Sequence, residues 1–124
     1  MAGDTQQRLK DALERLSKQP GFIGATLITR DGLPVFNYCG RVPSPETYGA
    51  MSAAMLASAE TALSEVGNVG VRRAIVETEE YRMIVVGVSD EHLLVGLSNG
   101  QGGLDKVLST FDSAATSVAQ ILAG

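Results

Sequence analysis

The stretch from Ser44 to Val66, SPETYGAMSAAMLASAETALSEV, constrains this chain more than any other. Ser44 suits an N-cap, and Pro45 stands at the first helical position, where a missing N–H costs nothing. Gly67 and Asn68 follow, and both residue types close helices in a left-handed conformation. Between these ends nearly every residue loses little on entering a helix. Tyr48, Met51, Met55, Ala59, Ala62 and Val66 recur at steps of three and four, forming one apolar stripe. Ala50, Ala53, Ala54, Leu56, Ala57 and Leu63 widen the apolar surface well beyond it. Burial on one side needs a stripe of only about 100°. Two readings fit the excess. The helix is interior and alanine-rich because alanine forms helices, or it packs on its own sheet with its back against another subunit.

The remaining elements follow from periodicity and turn chemistry. A first helix is predicted from Thr5 to Lys18, capped by Asp4 or Thr5, with Leu9, Ala12, Leu13 and Leu16 on one face. Its charged residues include Asp11–Arg15 and Glu14–Lys18 at helical spacing. Pro20 and Gly21 end it. In GFIGATLITRDGLPVFNYCG, two runs rich in branched and aromatic residues flank Asp31–Gly32, which predicts a hairpin. Pro34 lacks a ladder donor and places the second strand at a sheet edge. Three more strands are expected over Val71–Glu79, Tyr81–Ser89 and His92–Ser98. The third carries charge, as a boundary strand should. The fourth and fifth are almost continuously apolar, the pattern of strands buried on both faces. Gly87 and Gly96 interrupt them and would let a helix approach. A last helix runs from Leu104 to Leu122 with Leu104, Val107, Leu108, Phe111, Ala114, Ala115, Val118 and Leu122 on its apolar side. The expected fold is α/β (α+β): a central five-stranded antiparallel sheet with helices on both faces, in the order α-β-β-α-β-β-β-α.

Composition narrows the functional classes. At 124 residues the chain forms one domain, spanning 1–124. An apolar fraction of 44% with 19% charged residues indicates ordered structure. Fourteen acidic residues against ten basic ones give a net charge of −4, and no basic run is present to neutralise nucleic-acid phosphates. A lone cysteine, Cys39, excludes an intrachain disulfide and fits a reducing compartment. No apolar run reaches the length of a membrane span, and the leading MAGDTQQRLK carries no hydrophobic signal region. The expectation is a cytoplasmic protein.

Little here supports catalysis. His92 is the only histidine and flanks a turn after Asp90–Glu91. Cys39 has no histidine near it in sequence and reads as an inert thiol. No grouping has metal-ligand spacing, and SNGQGG lacks the lysine and hydroxyl residue of a phosphate loop. The chain is expected to be neither an enzyme nor a cofactor protein. Glu77, Glu79 and Glu80 form either a charged turn or a surface for a basic partner.

Four passages carry a resemblance: GATLITRDGLPV, AMSAAMLASAETALSEVG, RRAIVETEEYRMIVVGV and LLVGLSNGQGGLDKV. In order, spacing and length the chain resembles the roadblock/LC7 superfamily, especially its small prokaryotic single-domain branch, which includes the MglB-like proteins. That resemblance implies a homodimer with packed central helices and paired third strands. It also implies a non-catalytic platform, often for a Ras-like small GTPase. The implied dimer surface comprises Tyr48, Met51, Met55, Ala59 and Ala62 with Val71, Arg73, Ile75 and Glu77. Arg72, Arg73, Glu77, Glu79 and Glu80 are candidates for contact with the partner. The alternative class is a small-ligand sensor of profilin-like or PAS/GAF-like type, which requires a pocket with converging polar groups.

Overall fold

The computed structural model describes residues 3–68 and 70–124. Met1 and Ala2, part of the leading segment read above, lie outside them. In chain order the elements are α1 (Gly3–Ser17), β1 (Phe22–Thr29), β2 (Pro34–Tyr38), α2 (Pro45–Ser64), β3 (Arg73–Glu77), β4 (Arg82–Gly87), β5 (His92–Ser98) and α3 (Leu104–Ala123). The five strands form one antiparallel sheet in the order β2-β1-β5-β4-β3. The β1–β2 hairpin therefore joins the β3–β4–β5 meander through β1 and β5. Strands β2 and β3 are the two edges.

The sheet separates two unequal layers. On one face α1 contributes Leu9, Leu13 and Leu16, and α3 contributes Val107, Phe111, Val118 and Ile121, against Ala25, Leu27, Ile84 and Leu94. On the other face α2 lies alone, with Ala53 and Leu56 over Ile28, Val85, Leu93 and Val95. Neighbouring residues of β4 and β5, such as Ile84 and Val85 or Leu93 and Leu94, thus serve opposite cores. This accounts for the missing period-two alternation in these strands.

Several ends differ from the sequence expectation for identifiable reasons. Helix α1 starts at Gly3, so Asp4 and Thr5 lie inside its first turn, where Asp4 faces the positive end of the helix dipole. Glu14 and Lys18 meet at 2.9 Å, whereas Asp11 accepts instead from the Gln7 amide at 2.9 Å. Ser44 does cap α2, its hydroxyl accepting the Thr47 N–H at 3.3 Å. The other end of α2 stops at Ser64, before Gly67 and Asn68. Its last turn tightens through Glu65 N–H to Ala62 O and Val66 N–H to Leu63 O. Strand β3 is shorter than expected because the Thr78 hydroxyl accepts from the N–H groups of Glu80 and Tyr81 and turns the chain.

Two glycines set distances between layers. Gly96 on β5 faces the Phe111 ring so closely that an added Cβ would lie 2.7 Å from it. Gly87 does not admit a helix; the Arg30 guanidinium fills the space over it. Gly32 occupies the β1–β2 turn at φ 92°, and a Cβ there would lie 2.6 Å from Ala50 Cα. The turn thereby touches the start of α2 backbone to backbone. Gly32→Ala is expected to combine left-handed strain with this overlap and to destabilise the fold by about 2–4 kcal/mol. Urea denaturation would measure it, and a change below about 0.5 kcal/mol would contradict this account of how α2 is held.

Candidate functional site

The long stripe of α2 lies on its flank. The face turned to the sheet is built from small residues, Gly49, Ser52 and Ala53, with Leu56. The Ser52 hydroxyl is neutralised locally by donating to Tyr48 O at 2.7 Å. Beside this face Tyr48, Met55 and Ala59 are half-buried, while Met51 is 62% exposed. Ala62 is exposed as well, and Val66 reaches 78%. Met51, Ala62 and Val66 thus leave apolar surface exposed along one flank of the helix and its C-terminal end.

The stripe borders the edge of the sheet. Val76 of β3, on the same sheet face as Ala74, is 41% exposed. Between α2 and this edge runs a groove of about 600 Å³ lined by Tyr48, Met51, Met55, Val76, Met83 and the Arg41–Ser44 loop. Arg41 holds that loop in place by donating to the Tyr81 hydroxyl at 3.1 Å. Burial raises the Tyr48 phenol well above its ordinary pKa, and the nearby Cys39 adds to the effect. Tyr48 therefore stays neutral and contributes apolar wall and packing.

The two sheet edges are treated differently. On β2, Pro34 removes a donor, the ladder shifts between Leu27 and Ile28, and the Lys10 ammonium sits 5.4 Å from the Phe36 ring centre. These devices suppress pairing. Strand β3 carries no proline, and its ladder to β4 is regular. Its alternate backbone groups face outward without a strand beside them among the described residues.

The charged candidates separate by position. Arg73 is half-buried and donates to Asp112 of α3 at 3.1 Å. Glu77 lies 3.7 Å from the Arg82 guanidinium. Arg72, Glu79 and Glu80 are exposed, and among the described residues they form no ion pair. Ile75 packs against the α1–α3 core, and Val71 against the α2 core. The residues named from the sequence on the third strand, Arg73, Ile75 and Glu77, alternate with Ala74 and Val76, which face the same side as α2 and were not named. Val76, an aliphatic residue directly before the charged Glu77, was the available signal.

Elsewhere lie the two reactive side chains considered from the sequence, His92 and Cys39. The Ser89 hydroxyl and His92 Nδ1 are 3.0 Å apart, within the β4–β5 turn that Val88 N–H to His92 O closes. Cys39 is buried against Gly24. Among the described residues no group of three His, Cys, Asp or Glu side chains could hold a metal ion. No described helix is long and apolar enough to cross a membrane.

A family model described as the Roadblock/LC7 domain matches residues 8–98. The chain belongs to this family. Gliding protein MglB from Thermus thermophilus superposes on this roadblock/LC7 chain with a TM-score of 0.86 at 21% identity, covering 98% of this chain and 93% of that one. Myxococcus xanthus MglB gives a TM-score of 0.88 at 14% identity, with 98% and 92% covered. Acanthamoeba castellanii profilin II gives 0.60 at 20% identity, with 93% and 97% covered. No curated protein sequence matches the chain closely enough to be counted a relative. At these identities the structural neighbours establish a shared fold, with profilin as the more distant version of the roadblock architecture.

Proposed function

We propose that two copies of this roadblock/LC7 chain associate through α2 and β3, and that the dimer is a non-catalytic cytoplasmic platform for a Ras-like small GTPase. The carrying observation is the exposed Met51 beside an apolar groove and an unpaired β3 edge. Antiparallel pairing of β3 with its counterpart keeps the same sheet face up in both copies. The two α2 helices then lie side by side, and each groove receives apolar side chains from the other copy. Isologous contact of this kind closes the assembly. A small apolar ligand is the second reading, since the groove has the volume of a ligand pocket. It offers such a ligand few polar anchors, because Ser52 is already bonded within α2.

The partner reading rests on family membership and on the charged surface around the β3–β4 turn. Arg72, Glu79 and Glu80 can meet a partner without first breaking an ion pair, whereas Arg73 and Glu77 cannot. Calorimetric titration of the dimer with GTPases from the same genome should show binding at least about tenfold tighter to a GTP-analogue state than to a GDP state, or about 1.4 kcal/mol. Reversing Glu79 and Glu80 should lower the association rate most at low salt. Absence of binding in both nucleotide states, or direct nucleotide binding by this protein alone, would remove the proposed function and leave the fold intact.

A further inference from the structure

We propose that a second copy pairs with β3 in one register, the antiparallel register centred on Ile75, in which Arg73 of each copy faces Glu77 of the other. This rests on the dimer reading above and specifies the seam that the reading leaves open.

The backbone limits the choice first. Thr78 N–H donates to Tyr81 O at 2.8 Å, so Thr78 turns its polar groups inward to β4. Antiparallel strands alternate, and Val76 and Ala74 therefore also bond inward, opposite Met83 and Val85. Arg73, Ile75 and Glu77 present their N–H and C=O groups to the free edge. An outward-facing residue must meet an outward-facing residue of the second copy. Registers centred on Ala74, Ile75 or Val76 satisfy this rule.

Overlap and charge then separate the three. Only the Ile75-centred register pairs all of Arg73–Glu77 with its counterpart. The Ala74-centred register places Arg73 opposite Ile75 and leaves Glu77 beyond the paired strand. The Val76-centred register places Glu77 opposite Ile75 and leaves Arg73 beyond it. In both, a charge faces an aliphatic side chain, and overlap shrinks to three residues. Around Ile75 the strand Arg-Ala-Ile-Val-Glu is instead complementary to its own reversal. Edge charges that would discourage pairing with an arbitrary strand here favour one partner, a second copy.

The existing ion pairs extend this pattern. Arg73 already holds Asp112, and Glu77 lies beside Arg82, all on the sheet face away from α2. Across the seam the order becomes Asp112, Arg73, then Glu77 and Arg82 of the second copy, with signs alternating throughout. The two-fold axis produces this row twice. Neither row is complete in one chain.

Cysteine scanning in a Cys39→Ser background tests the register. Ile75→Cys sets two thiols on residues about 5.5 Å apart at Cα, within disulfide range. Ala74→Cys or Val76→Cys alone sets them on diagonal neighbours about 7–8 Å apart, too far for ready closure. Under mild oxidation with glutathione disulfide, Ile75→Cys should form covalent dimer about tenfold faster than either neighbour. An equal mixture of Ala74→Cys and Val76→Cys chains should cross-link into heterodimer. Faster linkage by Ala74→Cys or Val76→Cys alone overturns the register, as does absence of linkage while light scattering still reports a dimer. A wild-type protein that is monomeric in the same light-scattering run instead removes the dimer reading itself. Glu77→Lys supplies a variant at an exposed position, with no demand on the core. It should weaken dimerisation about tenfold in low salt and less in high salt, and an unchanged dimer affinity would also overturn the proposal.

Discussion

Met51→Glu is expected to convert the proposed dimer, twice 13.0 kDa, into single chains. Met51 is 62% exposed in the isolated chain, so glutamate there leaves the monomer's core untouched. In the proposed dimer the same position is covered, and the two-fold axis buries the charge twice. An unpaired charge at a buried contact costs about 3 kcal/mol, so the pair costs about 6 kcal/mol. That corresponds to a rise of about four powers of ten in the dissociation constant. Light scattering and sedimentation equilibrium would read it directly. Met55→Glu is less discriminating, because Met55 also packs against the α2 core and its loss would disturb folding. Ala57→Glu, at an exposed position away from the stripe, serves as the control and should remain dimeric. A Met51→Glu protein that still sediments as a dimer would remove α2 from the interface.

The second large effect lies in the opposite layer. Phe111→Ala should destabilise the fold by about 3–5 kcal/mol, the usual cost of emptying a filled aromatic site. Phe111 is fully buried, sits over Gly96, and stacks on Phe22 with ring centres 6.4 Å apart and planes inclined by 15°. Neither Gly96 nor the sheet backbone can move in to fill the space. For a chain of this length about 4 °C of melting temperature accompanies each kcal/mol, giving a fall of about 12–20 °C. Calorimetry at fixed protein concentration keeps dimerisation from contributing to the comparison. A fall below about 4 °C would show that the α1–α3 layer is not the main support of the sheet.

Element identity and order were legible because each element announces itself locally. The spacing of Leu9, Leu13 and Leu16, the Asp31–Gly32 turn and the capped Pro45 all act within a few residues. The excess apolar surface of α2 was legible for the same reason. Its orientation was not, since the choice between the Met51 stripe and the Gly49–Ser52–Ala53 face depends on what lies beneath. Small residues won the sheet side because they let the helix approach closely, displacing the bulkier stripe outward. The end of α2 was misplaced because a tight last turn satisfied the terminal carbonyls without Gly67. Likewise, the outward direction of Arg73, Ile75 and Glu77 follows from one turn hydrogen bond, which no residue pattern specifies.

The pairing of β1 with β5 has a consequence for synthesis on the ribosome. Strand β1 emerges early, and apart from β2 its hydrogen-bonding partner is β5, the last strand made. Until His92–Ser98 leaves the exit tunnel, Ala25, Thr26, Leu27 and Ile28 have only one side of their sheet, though all four end fully buried. Loop closure over that separation is slow compared with local hairpin formation. Nascent chains stalled before β5 should therefore hold an apolar strand that chaperones recognise, while chains released just beyond α3 should not. The strand that completes the centre of the sheet thus sets when the growing chain can stop needing help.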